Sequence, residues 1–129
     1  MNYGIAEIVA EGVNADIDTS EEDVIIVPSR ESLKYSQFTV YPTIVLGTNT
    51  SVILRVYLQN EVDGSWHQTS FYNSTDGSVN PLNYVYTGAL GLTLAIDFPV
   101  SACLGLKVTA QGAGGADSSV TAKILGRNN

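Results

Sequence analysis

At 129 residues and 13.7 kDa, the chain holds enough material for one domain. A hydrophobic content of 44% against 15% charged residues excludes a strongly charged disordered polymer. The net charge of −7 comes with no basic patch, which argues against nucleic acid and anionic lipid as partners. No apolar run approaches the roughly 20 residues of a membrane helix, so no membrane partner is expected.

The charge is unevenly placed. Residues 1–23 contain Glu7, Glu11, Asp16, Asp18, Glu21, Glu22 and Asp23 and no Lys or Arg. The remaining chain has six acids against six bases. The sequence therefore divides into an acidic N-terminal arm, 1–23, and a nearly uncharged domain, 24–129. Ile5, Ile8, Val9, Val13 and Ile17 lie among the acids of the arm. A terminus that only had to stay solvated would have no use for them, so they are the candidate partner interface. The start lacks a basic n-region, so no secretory signal is expected. Ala6–Val13 is the only helix candidate, weakened by Gly12. The run Asp16–Asp23 has the oxygens that calcium favours but lacks the glycine and glutamate of a calcium loop, since Val27 stands at the twelfth position. It reads as an acidic linker.

From Val24 onward the pattern has period two. Val52, Leu54, Val56 and Leu58 alternate with Ile53, Arg55, Tyr57 and Gln59. Leu104, Leu106, Val108 and Ala110 alternate with Gly105, Lys107 and Thr109, and Val120, Ala122 and Ile124 alternate with Ser119, Thr121 and Lys123. The expected strands are 24–27, 35–45 with a bend at Pro42, 51–59, 65–72, 82–87, 91–98, 104–111 and 118–125. Asp63-Gly64 and Asp76-Gly77 mark turns. The glycine-rich 112–117 predicts a hairpin between 104–111 and 118–125. Pro28, Pro42, Pro81 and Pro99 belong at strand ends or edges, where a missing N–H costs least. About eight short strands make an all-β fold, an antiparallel β-sandwich of jelly-roll or Greek-key type with an acidic N-terminal extension; a closed barrel is the alternative.

Residues able to do chemistry are sparse. His67 is the only histidine and Cys103 the only cysteine, too few for a zinc site. His67 lies two residues from Ser65, with no nucleophile elbow around them. Of the acids in the body, only Asp97 interrupts an apolar strand, and alternation points it away from the core. No enzyme, metal or cofactor is expected. The sequons at Asn49 and Asn73 carry little weight without a secretion signal. The aromatic residues cluster: Trp66, Phe71, Tyr72, Tyr84 and Tyr86 fall in the middle third, with Asn73, Asn80 and Asn83 nearby. Trp66, Tyr72, Tyr84 and Tyr86 are candidate ligand or interface aromatics, either a sugar-stacking platform or cross-strand pairs that stabilise a sheet. Ile53, Tyr57 and Leu125, apolar on second strand faces, could form an oligomer seam or face the opposite sheet.

The order of features resembles a known class. Val24-Ile25-Ile26-Val27-Pro28-Ser29 leads into a Tyr/Phe-rich strand and then Thr50–Leu58. Asp63-Gly64-Ser65-Trp66-His67 and the turn Thr75–Ser78 follow, then Leu104–Ala110, a glycine-rich loop and a closing strand ending at Asn129. Over residues 24–129 this resembles the small β-sandwich virion proteins of tailed bacteriophages. The resemblance implies a non-enzymatic structural protein, most simply a capsid decoration (cement) protein. It would be made in the bacterial cytoplasm and carried on the particle surface. Its partners would be the major capsid protein or other virion proteins, in a homo-oligomer with a trimer favoured. A tail or neck adaptor and a carbohydrate-binding module or adhesin head are the rival expectations.

Overall fold

The computed structural model describes residues 6–27, 34–88, 95–99, 103 and 105–127. These form an antiparallel β-sandwich of eleven strands. They are β1 Glu7–Ile17, β2 Glu22–Val27, β3 Gln37–Val45, β4 Ser51–Gln59, β5 Trp66–Gln68, β6 Ser70–Asn73, β7 Ser78–Pro81, β8 Tyr84–Tyr86, β9 Ile96–Pro99, β10 Leu106–Ala113 and β11 Ser118–Arg127. A four-stranded sheet has the order β1-β11-β3-β9. A five-stranded sheet has the order β2-β10-β4-β5, with β8 also on β4; β6 and β7 form a separate two-stranded ribbon.

Alternation creates the core. Phe38 and Val40 of β3, Ile96 of β9, and Val120, Ala122 and Ile124 of β11 line one inner face. Val52, Leu54 and Val56 of β4, with Leu106, Val108 and Ala110 of β10, line the other. Val24 and Ile25 are both buried although adjacent, because a register shift between Val108 and Thr109 leaves an extra residue in β2. Cys103 is buried with this core, where desolvation and then the charge of Glu61 push its thiol up.

Several expectations need correction. The acidic leader is not an arm apart from a 24–129 body: Glu7–Ile17 pairs along β11, and a boundary at 24 would cut β2. Ala6–Val13 is strand, not helix. Irregular register between Ile8 and Ala10 turns Val9 as well as Ala10 inward, so the apolar spacing loses its period of two. The 104–111 and 118–125 segments do not form a hairpin. β10 lies between β2 and β4, while β11 lies between β1 and β3, so the glycine-rich loop crosses from one sheet to the other. The 65–72 segment breaks at Thr69, whose N–H donates to Val56 O, and the chain leaves the sheet there. The 91–94 part of an expected strand lies outside the described residues.

The glycine turns are where the sequence placed them. Gly64 and Gly77 take the positive φ their turns need, at 76° and 73°. Pro81 and Pro99 end their strands, and Pro28 lies outside the described residues. Pro42, expected at a strand end or edge, lies instead inside β3 opposite Ala122, beyond Val40 where the described pairing with β9 ends.

One end of the sandwich is clasped by Asn49. Its buried amide donates to Ile17 O at 3.1 Å and Ser118 Oγ at 2.7 Å, and accepts from Gly115 N–H at 3.0 Å. Gly112 makes room, since a Cβ there would lie 2.4 Å from Asn49 Nδ2 and 2.5 Å from Asp18 O. The sequon asparagine is thus a structural hub joining three loops. Asn49→Ala leaves buried backbone groups without partners and should cost about 2–4 kcal/mol. Urea denaturation measures this, and a loss under about 1 kcal/mol would refute the hub role.

Candidate functional site

The two outer faces of the sandwich differ in kind. On the five-stranded sheet, long polar side chains cover much of the surface and satisfy one another, with Ile26 and Val85 exposed among them. Glu21, in the turn before β2, accepts hydrogen bonds from Tyr57 Oη at 2.5 Å and Thr109 Oγ1 at 2.6 Å, and pairs with Arg55 at 3.4 Å. Arg55 also donates to Asn83 Oδ1 and Gln111 Oε1, both at 2.8 Å. Lys107 stands 3.7 Å from Asp23 and lies over two rings, 4.9 Å from the centroid of Trp66 and 5.3 Å from that of Tyr57. Partial burial pushes the Glu21 carboxyl upward, but the bonds from Thr109 and Tyr57 and the charges of Arg55 and Lys107 outweigh it and hold Glu21 below its ordinary value. Burial, together with the hydrogen bond and charge of Glu21, pushes the Tyr57 phenol up to about 12.

On the four-stranded sheet several outward side chains are apolar and exposed. Ile8, Val13 and Val45 are 58%, 64% and 61% exposed, and Tyr41 is also exposed. Glu11 and Lys123 pair at 3.4 Å. Asp97 points away from the core, as alternation required, and accepts from Thr39 Oγ1 at 2.8 Å and from Gln37. A depression of about 390 Å³ lies between Glu11, Val13, Thr121 and Lys123.

A third feature is the β6–β7 ribbon. Its base is tied to the sandwich by Leu82 N–H to Thr69 O, and by the Gln68 amide to Leu82 O, both at 2.9 Å. Its turn is stiffened by Asn73 and Asp76, each accepting from the backbone two residues on. It carries Phe71, Tyr72 and Val79 outward, the last two 67% and 68% exposed.

The structure redistributes the candidate residues. Of the leader set, Ile8 and Val13 remain exposed on the four-stranded sheet. Val9 packs on the core, Ile17 is fully buried within it, and Ile5 lies outside the described residues. A core residue cannot dock a partner, so Ile17 leaves the interface set. The aromatic set does not converge. Trp66 is opposite Gln59 on the outer face, half-buried, with a face taken by the Lys107 ammonium. Tyr84 and Tyr86 are opposite the inward-facing Leu54 and Val52, so they turn toward the core, and Tyr72 is on the ribbon. Ile53 and Tyr57 lie half-buried on the five-stranded sheet, leaving Leu125 alone of the expected seam residues on the other.

The Asp63–Ser65–His67 arrangement admits a proton count. Ser65 Oγ is 2.7 Å from Asp63 Oδ1 and 2.8 Å from His67 Nε2. The carboxylate only accepts, so the single hydroxyl proton goes to Asp63, and His67 Nε2 must donate to Ser65. His67 therefore does not serve Ser65 as a base, and the group is a turn stabiliser. Among the described residues, no three or more His, Cys, Asp or Glu side chains group to hold a metal. Three of the acids of 16–23 turn to separate partners: Asp18 accepts from Ser20 N–H at 2.9 Å, Glu21 joins Tyr57, Thr109 and Arg55, and Asp23 pairs with Lys107.

Two sheets, a chain that crosses repeatedly from one to the other and a separate two-stranded ribbon define the fold for comparison. It is similar to that of the SPBc2 prophage-derived protein YomS. The crystal structure of that protein matches with a TM-score of 0.54 over 97% of this chain and 98% of the other, at 15% sequence identity. Such an identity speaks for the fold. No family model and no curated protein matches the sequence.

The polar network makes a pH prediction. Glu21 has a folded pKa below its unfolded value, so its contribution is present above about pH 4.5 and is lost as pH falls through the folded value. Tyr57 has a folded pKa raised from 10.0 to about 12, so its contribution is present below pH 10 and is lost as pH rises toward 12. Urea midpoints against pH should show a shallower acid limb in Glu21→Gln and a shallower alkaline limb in Tyr57→Phe. Unchanged limbs would contradict the network.

Proposed function

We infer that this chain is a non-enzymatic structural protein of a phage particle, most simply a capsid decoration protein on the particle surface. The observation that carries this reading is where the exposed large apolar side chains lie. Among the described residues, seven of the ten sit on the outer face of the four-stranded sheet or on the stiffened ribbon, with Ile26 and Val85 on the other sheet and Val62 in a turn. The first two surfaces are suited to meeting other proteins. A fold shared along the full chain with a prophage-derived protein supports the phage setting.

In this reading the ribbon makes the contact with the shell. Two aromatic residues and a valine on a pre-shaped turn lose little entropy on docking, and aromatic residues dominate interface energetics. Many weak contacts on a symmetric shell then add through multivalency. The major capsid protein is the partner this arrangement fits. A tail or neck adaptor would use the same ribbon at lower copy number.

Co-sedimentation with purified particles tests the reading. The chain should pellet in a copy number matching the shell symmetry, and Phe71→Ser with Tyr72→Ser should weaken attachment roughly 100-fold while circular dichroism stays native. A chain missing from purified particles, or a double variant that attaches equally well, would overturn it.

A further inference from the structure

The outer face of the four-stranded sheet is ordered in cross-strand rows. Ile8 stands beside Leu125 and Thr39, Glu11 beside Lys123 and Tyr41, Val13 beside Thr121 and Thr43, and Ser119 beside Val45. An antiparallel sheet with one solvated face normally alternates apolar inward and polar outward. Here Ile8, Val13, Tyr41 and Val45 break that rule on the outer side and remain exposed. The opposite sheet exposes two such residues, Ile26 and Val85, and over the rest of it Arg55, Lys107, Gln111 and Tyr57 lie across the surface, each bonded to or stacked on a neighbour.

Charge selects the occupant. The face carries Glu11 and Asp97 against Lys123 and Arg127, two of each sign, with Glu11 and Lys123 already paired. The whole chain carries −7. A strongly basic or acidic partner finds no complement on a neutral face, whereas two copies at −7 each can meet there without opposing like charges. Size agrees. Nine residues of β3 and three full-length strands span roughly 30 by 14 Å at ~3.3 Å per residue and ~4.8 Å per strand, and the four residues of β9 extend one edge. With side-chain relief, that plane is of the order of the roughly 600 Å² per partner at the low end of specific interfaces, which suits a micromolar pair.

We propose that this face is the seam on which a second copy of the chain packs, sheet against sheet, about a two-fold axis. Flat faces related this way interdigitate at about 10 Å, and the small β-branched residues of the rows suit that spacing. A two-fold pair takes the place of the trimer implied by the resemblance. It leaves both β6–β7 ribbons free, because each springs from the edge of the five-stranded sheet. The seam deepens the structural reading above, yet its test needs no particle.

Sedimentation equilibrium of the full chain should give twice 13.7 kDa at micromolar concentration. Raising salt should tighten the pair by screening the repulsion between like-charged copies. Val13→Glu and Val45→Glu should each raise the dimer dissociation constant roughly 30-fold or more, while Val85→Glu on the other sheet leaves it unchanged. In Thr43→Cys and Thr121→Cys chains, mild oxidation should link two copies at one or both positions, because the native Cys103 is buried. A wild-type monomer, a dimer lost only in Val85→Glu, or folded cysteine variants that never cross-link would overturn the seam. A monomer that still pellets with particles would remove the seam and leave the structural reading standing. A dimer never found on particles would do the reverse.

Discussion

The buried amide of Asn49 is the constraint on which the rest of the molecule depends. It ties the end of β1, through Ile17 O, to the start of β11, through Ser118 Oγ, and to the crossing loop at Gly115. Those three segments belong to different turns, and hydrophobic burial alone does not fix how far each strand slides. Once Ile17 is held beside Ser118, β1 lies along β11, and the residues of β1 take their places on the outer face of the four-stranded sheet. Ile17 Cα pairs with Ser118, and from there the ladder runs to Glu7 beside Gly126. A register slip of one residue would exchange the faces of β1 and bury its acids.

The two faces that result answer different physical demands. One is closed electrostatically: Glu21 gathers a tyrosine and an arginine from β4 and a threonine from β10, and Lys107 roofs Trp66 and Tyr57. Charged groups with so many partners are costly to strip and re-pair in an interface. The other face also carries two charges of each sign but lacks such a network, and the β-branched residues of its rows have little rotamer freedom to lose. Association favours the second face on both counts. In the assembly proposed above, the acidic turns at the clasped end would keep the molecule dispersed and the neutral sheet would meet the second copy.

Much of this was legible in the sequence, and the parts that were not have definite causes. Period-two patterning located β3, β4, β10 and β11 because each buries one side chain in two. It could not say that β10 and β11 sit in different sheets, since alternation defines an inward face and carries no information about the neighbouring strand. β1 was obscured because the bulge at Val9 breaks its period and the acids on its outer side resemble a solvated tail. Asn49 read as a sequon; its signal was the small-residue run of 112–115, which only a close approach by another segment explains. The aromatic cluster was real in sequence and dispersed in space, because the chain leaves the sheet at Thr69 and returns only at β8.

The claim at the centre of this account is that the sparse face of the four-stranded sheet is covered in the working assembly while the networked face stays in water. Hydroxyl-radical footprinting, read residue by residue from dilute to concentrated protein, measures that contrast directly. Oxidation of Ile8, Val13, Tyr41 and Leu125 should fall with concentration while Ile26 and Val85 keep their reactivity. Protection confined to Ile26 and Val85, or no protection anywhere at concentrations where the chain assembles, would contradict it.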